Sequence, residues 1–199
     1  PSGDKTKNEV VFHIDKEGDP DLSLFFGSGK INFGLRTTSG FVMIKKSAGS
    51  FNDWKYGWAH IVGTYDGSMI RLYKDGVEIA SEEQIGEVIL NSNLEQNNDK
   101  PFRIGYGEVD GGMHFDGSID EFAIWDDALS AAEIKALHNK GYAVDPTSDH
   151  KVILTSSMNS EEYKSSANLQ GYWAMNLESC FGDIVADLSK NKTVGDFKI

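Results

Sequence analysis

Apolar residues step by two along the first part of the chain: Val10/Phe12/Ile14, Leu22/Leu24/Phe26, Ile31/Phe33/Leu35 and Val42/Ile44. That is the period of half-buried strands. Clusters containing Gly and Asp separate these runs at intervals of about ten residues, the spacing of a β-sandwich. From Trp58 onward the pattern sharpens. WAHIVGTYDGSMIRLYKDGVEIAS reads as three antiparallel strands, Trp58–Tyr65, Met69–Lys74 and Val77–Ala80, joined at Asp66-Gly67 and Asp75-Gly76. An Asp-Gly pair supplies the positive φ angles of a tight hairpin turn, so two in close succession predict a meander. Phe102/Ile104/Tyr106 and His114–Trp125 continue the alternation, whereas Glu87–Lys100 is Asn-rich, unpatterned and reads as an exposed loop.

One helix interrupts the strands near 130–140. Ser130 with Glu133 three residues on forms a capping box, Leu129 and Ile134 are spaced for a hydrophobic staple, and Gly141 offers a stop. Asp126 and Asp127 precede the positive end of the helix dipole. Residues 142–167 are rich in Ser, Asp, Asn and Lys around one apolar island, Val152–Leu154, and read as a linker-like connection.

Two long motifs carry a family resemblance over roughly residues 1–141. W-x-H-x-V-x-T-Y-D-G-S…L-Y-x-D-G is met at Trp58, His60, Val62, Thr64, Tyr65, Asp66, Gly67, Ser68, Leu72, Tyr73, Asp75 and Gly76. D-G-x-I-D-E-x-x-I-W-x-x-A-L-S-x-x-E-I runs from Asp116 to Ile134. The chain thus resembles the laminin G-like branch of the concanavalin A-like lectin superfamily. The resemblance implies an all-β fold, a two-sheet antiparallel jelly-roll sandwich with one short capping helix. It also implies core positions for Trp58, Trp125 and Trp173.

The C-terminal segment 168–199 resembles the opening strands of such a domain, L-x-G-Y-W-x-M…D-x-S-x-N-x-x-G, at Gly171, Tyr172, Trp173, Met175, Asp187, Ser189, Asn191 and Gly195. Its displaced position leaves three arrangements open. It completes the sandwich by permutation, begins a truncated second repeat, or completes a partner's sandwich by strand exchange. The tail Ser165–Trp173 is also similar to segments of marine phage structural proteins and secreted bacterial adhesins.

Composition narrows the partners. A formal net charge of −12 argues against nucleic acid or an anionic membrane surface, which call for basic patches. No apolar run is long enough for membrane insertion. The one cysteine, Cys180, excludes an intrachain disulfide and a Cys-rich zinc site. Opening on Pro1 without an initiator Met, the chain is expected to be a processed product or an excised piece.

Chemistry of a hydrolytic kind is not expected. Some glycoside hydrolases of the superfamily carry a strand pattern like E-x-D-x-x-E, and a retaining mechanism needs two carboxyls about 5 Å apart. GSIDEFAIW aligned on Asp120 places Ser118 and Ala123 where those carboxyls belong. On a strand, Ser118, Asp120 and Phe122 would share a face with Glu121 opposite.

Binding is the expectation instead. The resemblance implies a calcium ion at the sandwich rim, held by Asp120 with Asp187 and Asn191, although Asp187 and Asn191 also suit an ordinary Asx turn. For a glycan or cell-surface glycoconjugate, the inter-strand loop FNDWKYGW offers Asn52, Asp53, Trp54 and Tyr56; Trp54 is equally suited to folding onto the sandwich edge. Tyr106 with the Gly-rich run 105–112 is a second candidate. The expected role is a non-catalytic, calcium-assisted carbohydrate-binding module, extracellular or on a virion surface. The alternative is a structural assembly protein of a virion or filament, acting through strand edges and its C-terminal segment.

Overall fold

Strands form where the two-residue alternation places them, with local elaborations. The computed structural model describes residues 8–16, 19–47, 57–89, 102–107, 113–142, 144–153, 160–175, 180–181, 184–185 and 188–189. β1 (Glu9–Lys16), β2 (Asp19–Gly27), β3 (Lys30–Thr37) and β4 (Gly40–Ser47) follow one another as antiparallel neighbours. With β8 (Arg103–Ile104) they form a sheet of order β4-β3-β2-β1-β8. Register shifts after Val10 and after Ile14 interrupt the alternation of β1. In β3 the residues Ile31, Asn32, Phe33, Gly34 and Leu35 are all buried, so this strand is covered on both faces rather than one. Asn32 tolerates burial because its amide donates to the carbonyls of Phe25 and Lys30.

The meander forms β5 (Ile61–Tyr65), β6 (Met69–Lys74) and β7 (Val77–Glu83). Its second turn has φ of 51° at Asp75 and 77° at Gly76, the two left-handed positions that Asp-Gly was expected to supply. The first turn is left-handed only at Gly67, and Asp66 holds it by accepting the N–H groups of Ser68 and Met69. β5 begins at Ile61, three residues later than the alternation suggests. A Cβ on Gly63 would lie 2.5 Å from the Phe33 ring, so the bare glycine lets β5 lie directly on the face of β3. Two antiparallel sheets meet there, with Ile31, Leu35, Ile70 and Leu72 in the core. β9 (Tyr106–Gly107) pairs with β10 (Met113–His114).

The chain divides into two compact units, Pro1–Ala59 with Gly63–Tyr73 and Glu78–Ser118, and His60–Val62 with Lys74–Val77 and Ile119–Ile199. In the second unit β11 (Phe122–Trp125) pairs antiparallel with β14 (Leu169–Trp173), Phe122 opposite Trp173 and Trp125 opposite Leu169. The Leu188 N–H donates to the Tyr172 carbonyl and the Ser189 hydroxyl to that of Gln170. β15 (Cys180–Phe181) and β16 (Ile184–Val185) form a short ladder.

The region read as linker-like contains an antiparallel pair, β12 (His150–Ile153) and β13 (Ser160–Tyr163). Its polar composition hides one deeply placed side chain. Tyr163 is fully buried, donates its hydroxyl proton to the Pro146 carbonyl and accepts the Trp125 indole N–H, each at 2.8 Å.

Helix α1 (Ala131–His138) carries the expected capping box. It ends earlier than Gly141, because Asn139 takes the left-handed cap at φ 40° and its N–H bonds the Lys135 carbonyl. Glu133 does more than cap. One carboxylate oxygen accepts the Ser130 N–H and hydroxyl, and the other accepts the Lys164 N–H and the Ser165 hydroxyl. Burial opposes its charge, but the hydrogen bonds from Ser165, Ser130 and Lys164 outweigh it and hold the carboxyl below its ordinary value. A depressed carboxyl stabilises the fold above its unfolded pKa and loses that contribution as pH falls through the folded value. Glu133→Ala should therefore cost about 2 kcal/mol at neutral pH. The difference between variant and parent, read by urea unfolding, should shrink as the solution is acidified below the ordinary glutamate range; a gap that persists unchanged would contradict the assignment.

Candidate functional site

The aromatic loop proposed for ligand contact, with Asn52, Asp53, Trp54 and Tyr56, lies outside the described residues. Trp58, just beyond that loop, is described, and it departs from the family expectation: it is 71% exposed, not in the core. The physical reason is its place ahead of β5, where it belongs to no strand ladder. Trp173 meets its expectation at 6% exposure, and Trp125 packs against the cluster of Leu169, Tyr172 and Ala174. An indole left in water loses the area that usually drives burial of this residue type, which makes Trp58 the feature that motif reading missed. Just beyond it the backbone is held: Asp75 accepts the His60 N–H at 2.9 Å and returns its own N–H to the His60 carbonyl at 2.8 Å.

His60 itself serves structure. Its ring stacks on His138 at 5.8 Å with an interplanar angle of 16°. Burial, with the neighbouring His138, lowers its pKa to about 4 against the opposing pull of Asp75, so the ring is neutral at physiological pH. Among the described residues, no group of three or more His, Cys, Asp or Glu side chains is arranged to hold a metal.

Of the proposed calcium ligands, Asp120 is described and exposed; Asp187 and Asn191 lie outside the described residues. Asp120 accepts the Glu121 N–H at 2.9 Å. The β11 strand starts only at Phe122, and Glu121 has a left-handed φ of 53°, so strand alternation does not extend back through Glu121 to Ser118. Instead the Tyr172 hydroxyl donates to the Glu121 carboxylate. Burial raises the Glu121 carboxyl above its usual value, with Asp120 and Asp145 adding to the shift and the Tyr172 bond opposing it. Leu188 bonds to β14, and β14 pairs with the strand that Asp120 leads into. Exposed carboxylate oxygen is the donor type a hard cation takes.

A shallow cavity of about 450 Å³ is lined by Ser130, Glu133, Glu161, Glu162 and Lys164. Its charges are already matched: Lys135 pairs with Glu161, and Lys151 and Lys164 pair with Glu162. Among the described residues no helix is long and apolar enough to cross a membrane.

Residues 1–135 match the family described as the concanavalin A-like lectin/glucanases superfamily. Mouse pappalysin-1 is similar over 78 residues at 35% identity, which is 39% of this chain and 4% of pappalysin-1. Among solved structures, a candidate carbohydrate-binding protein from Bacteroides ovatus superposes with a TM-score of 0.61 at 18% identity, over 94% of this chain and 46% of that one. An S-layer domain-containing protein from Clostridium thermocellum is 24% identical with a TM-score of 0.36, over 68% of this chain and 64% of that one. The chain therefore spans less than two thirds of the length of each of these relatives. With its paired antiparallel strands, its meander and the short helix α1, the chain belongs to the concanavalin A-like lectin/glucanases superfamily.

Proposed function

We propose that this chain is a non-catalytic carbohydrate-binding module acting outside the cell or on a particle surface. The observation that carries the reading is Trp58, 71% exposed and directly following the loop that holds Trp54 and Tyr56. An exposed indole on a rigid β scaffold is a stacking platform for the C–H face of a sugar. Membership of a superfamily that includes lectins supports this, as does the fold likeness to a candidate carbohydrate-binding protein. The carboxylate pair of a retaining hydrolase has no counterpart in GSIDEFAIW, and Glu121 is engaged by Tyr172. Trp58→Ala should leave the melting curve of the parent intact and weaken binding of a responding oligosaccharide by about tenfold or more, roughly 1.4 kcal/mol. Unchanged affinity would remove Trp58 from the contact surface.

Calcium assistance at Asp120, Asp187 and Asn191 is part of the same proposal. A ligand that binds only the folded state stabilises it by RT ln(1 + [L]/Kd), so a site of ~0.1 mM affinity gives about 2.7 kcal/mol at ~10 mM calcium. The melt should move upward in calcium relative to EDTA; coincident melts would eliminate the ion. The assembly alternative makes a different prediction, a concentration-dependent oligomer in solution. A copy-to-copy strand exchange would require β14 to leave its place on β11.

A further inference from the structure

The tip of the meander meets the end of helix α1 through two histidines. The Asp75-Gly76 turn packs on the last turn of the helix: a Cβ on Gly76 would stand 3.4 Å from the Cα of Lys135 and from Nδ1 of His138. Beside it the His60 ring stacks on the His138 ring, with 5.8 Å between centroids and 16° between planes. Asp75 ties the three segments together. Its Oδ1 accepts the His60 N–H at 2.9 Å and faces His138 Nε2 at 4.0 Å, while its Oδ2 faces the Lys74 ammonium at 3.8 Å. Lys135, the other basic residue in the last turn of α1, pairs with Glu161 of β13 at 3.2 Å. His60–Val62, Lys74–Val77 and α1 all belong to the second compact unit, so this contact is internal to it.

The two rings receive a proton unequally. A proton on His138 meets the Asp75 carboxylate and the negative end of the helix dipole. A proton on His60 Nδ1 is buried and, among the described residues, has no hydrogen-bond acceptor. An imidazolium there would also lie face to face with His138, and two stacked cations repel. We propose that the His60–His138 stack is an acid-sensitive latch, in which protonation of His60 frees the Asp75-Gly76 turn from the end of α1. The device goes beyond the carbohydrate reading and stands whether or not Trp58 contacts a sugar. In the closed form burial, then the neighbouring His138, lowers the His60 pKa from 6.5 to about 4 against the pull of Asp75. Once the latch opens, the ring in water returns toward the ordinary histidine value. The closed form therefore keeps its full advantage above the ordinary value and loses it as pH falls toward the lowered one. Across that window the opening equilibrium rises by on the order of a hundredfold.

Amide hydrogen exchange of the full chain, read residue by residue by NMR and corrected for the intrinsic pH dependence of exchange, follows the latch directly. Its reporters are the His60 N–H, held by the Asp75 carboxylate, and the Asp75 N–H, held by the His60 carbonyl. Protection at both should fall by about tenfold or more from about pH 7.5 to about pH 4.5, while Ile70 and Leu72 in the central strand of the meander keep theirs. His60→Phe keeps a flat ring and leaves Asp75 in place but takes no proton, so its protection at Asp75 should stay level across the series. Should that variant fail to fold, His138→Gln carries the test: without the cationic neighbour, the acid-induced loss of protection at His60 and Asp75 should shrink. Parent protection that does not fall with acid overturns the inference. So does an acid loss in His60→Phe, or in His138→Gln where that variant carries the test, as large as the parent's.

Discussion

A chain lacking residues 168–199 should lose cooperative folding of its second unit. The deletion removes Leu169, Tyr172, Trp173 and Ala174, each at most 6% exposed. Full burial of one large apolar side chain is worth about 1.5–3 kcal/mol, so losing this set approaches the ~5–15 kcal/mol that separates folded from unfolded domains. The truncation also strips the partner from β11 and leaves an unpaired strand edge beside Ala123 and Trp125, which pack against the removed cluster. Aggregation on heating should accompany the loss of stability. Thermal melting and amide hydrogen exchange check this together, with the amides of 122–125 expected to exchange faster than in the parent. A truncated chain with the parent's melting temperature would show that β14 is dispensable, and would count against the arrangement in which 168–199 completes the sandwich by permutation.

Tyr163→Phe should be the most damaging conservative substitution in the second unit, costing about 2–4 kcal/mol. The change removes one oxygen from a fully buried side chain. That oxygen serves two partners, the Pro146 carbonyl as acceptor and the Trp125 indole N–H as donor. Both lose their hydrogen bond, and an unsatisfied buried polar group costs more than the net worth of the bond it made. Burial pushes the phenol's pKa up to about 12, so the neutral, donating form persists across the accessible pH range and the penalty should not vary with pH. Urea unfolding at two pH values measures it. A loss below ~0.5 kcal/mol would mean that water replaces the hydroxyl.

These two sites mark what was legible and what was not. Features set by a few adjacent residues were readable: the left-handed pair Asp75-Gly76, the Ser130–Glu133 capping box and the existence of strands β2 and β6. Features set by distant partners were not. Nothing near HKVI or SEEY in the chain announces that they pair, or that Tyr163 meets Pro146 and Trp125. Trp58 failed as a core position for a related reason: a motif fixes a residue's place on the chain, while its burial depends on what covers it. The left-handed Glu121 escaped reading because residues other than glycine rarely adopt that backbone, so the phase of the strand was carried back too far. Glu133 was legible as a cap, but its second set of bonds to Lys164 and Ser165 spans more than thirty residues of chain.

The proposed function has two halves: the chain binds carbohydrate, and it leaves that carbohydrate uncut. One calorimetric titration against a panel of neutral and acidic oligosaccharides, followed by chromatography of the same mixtures after prolonged incubation, tests both. Saturable heat with at least one oligosaccharide, recovered at its original length, is the predicted result. Shortened products, or no heat with any member of the panel, would contradict it.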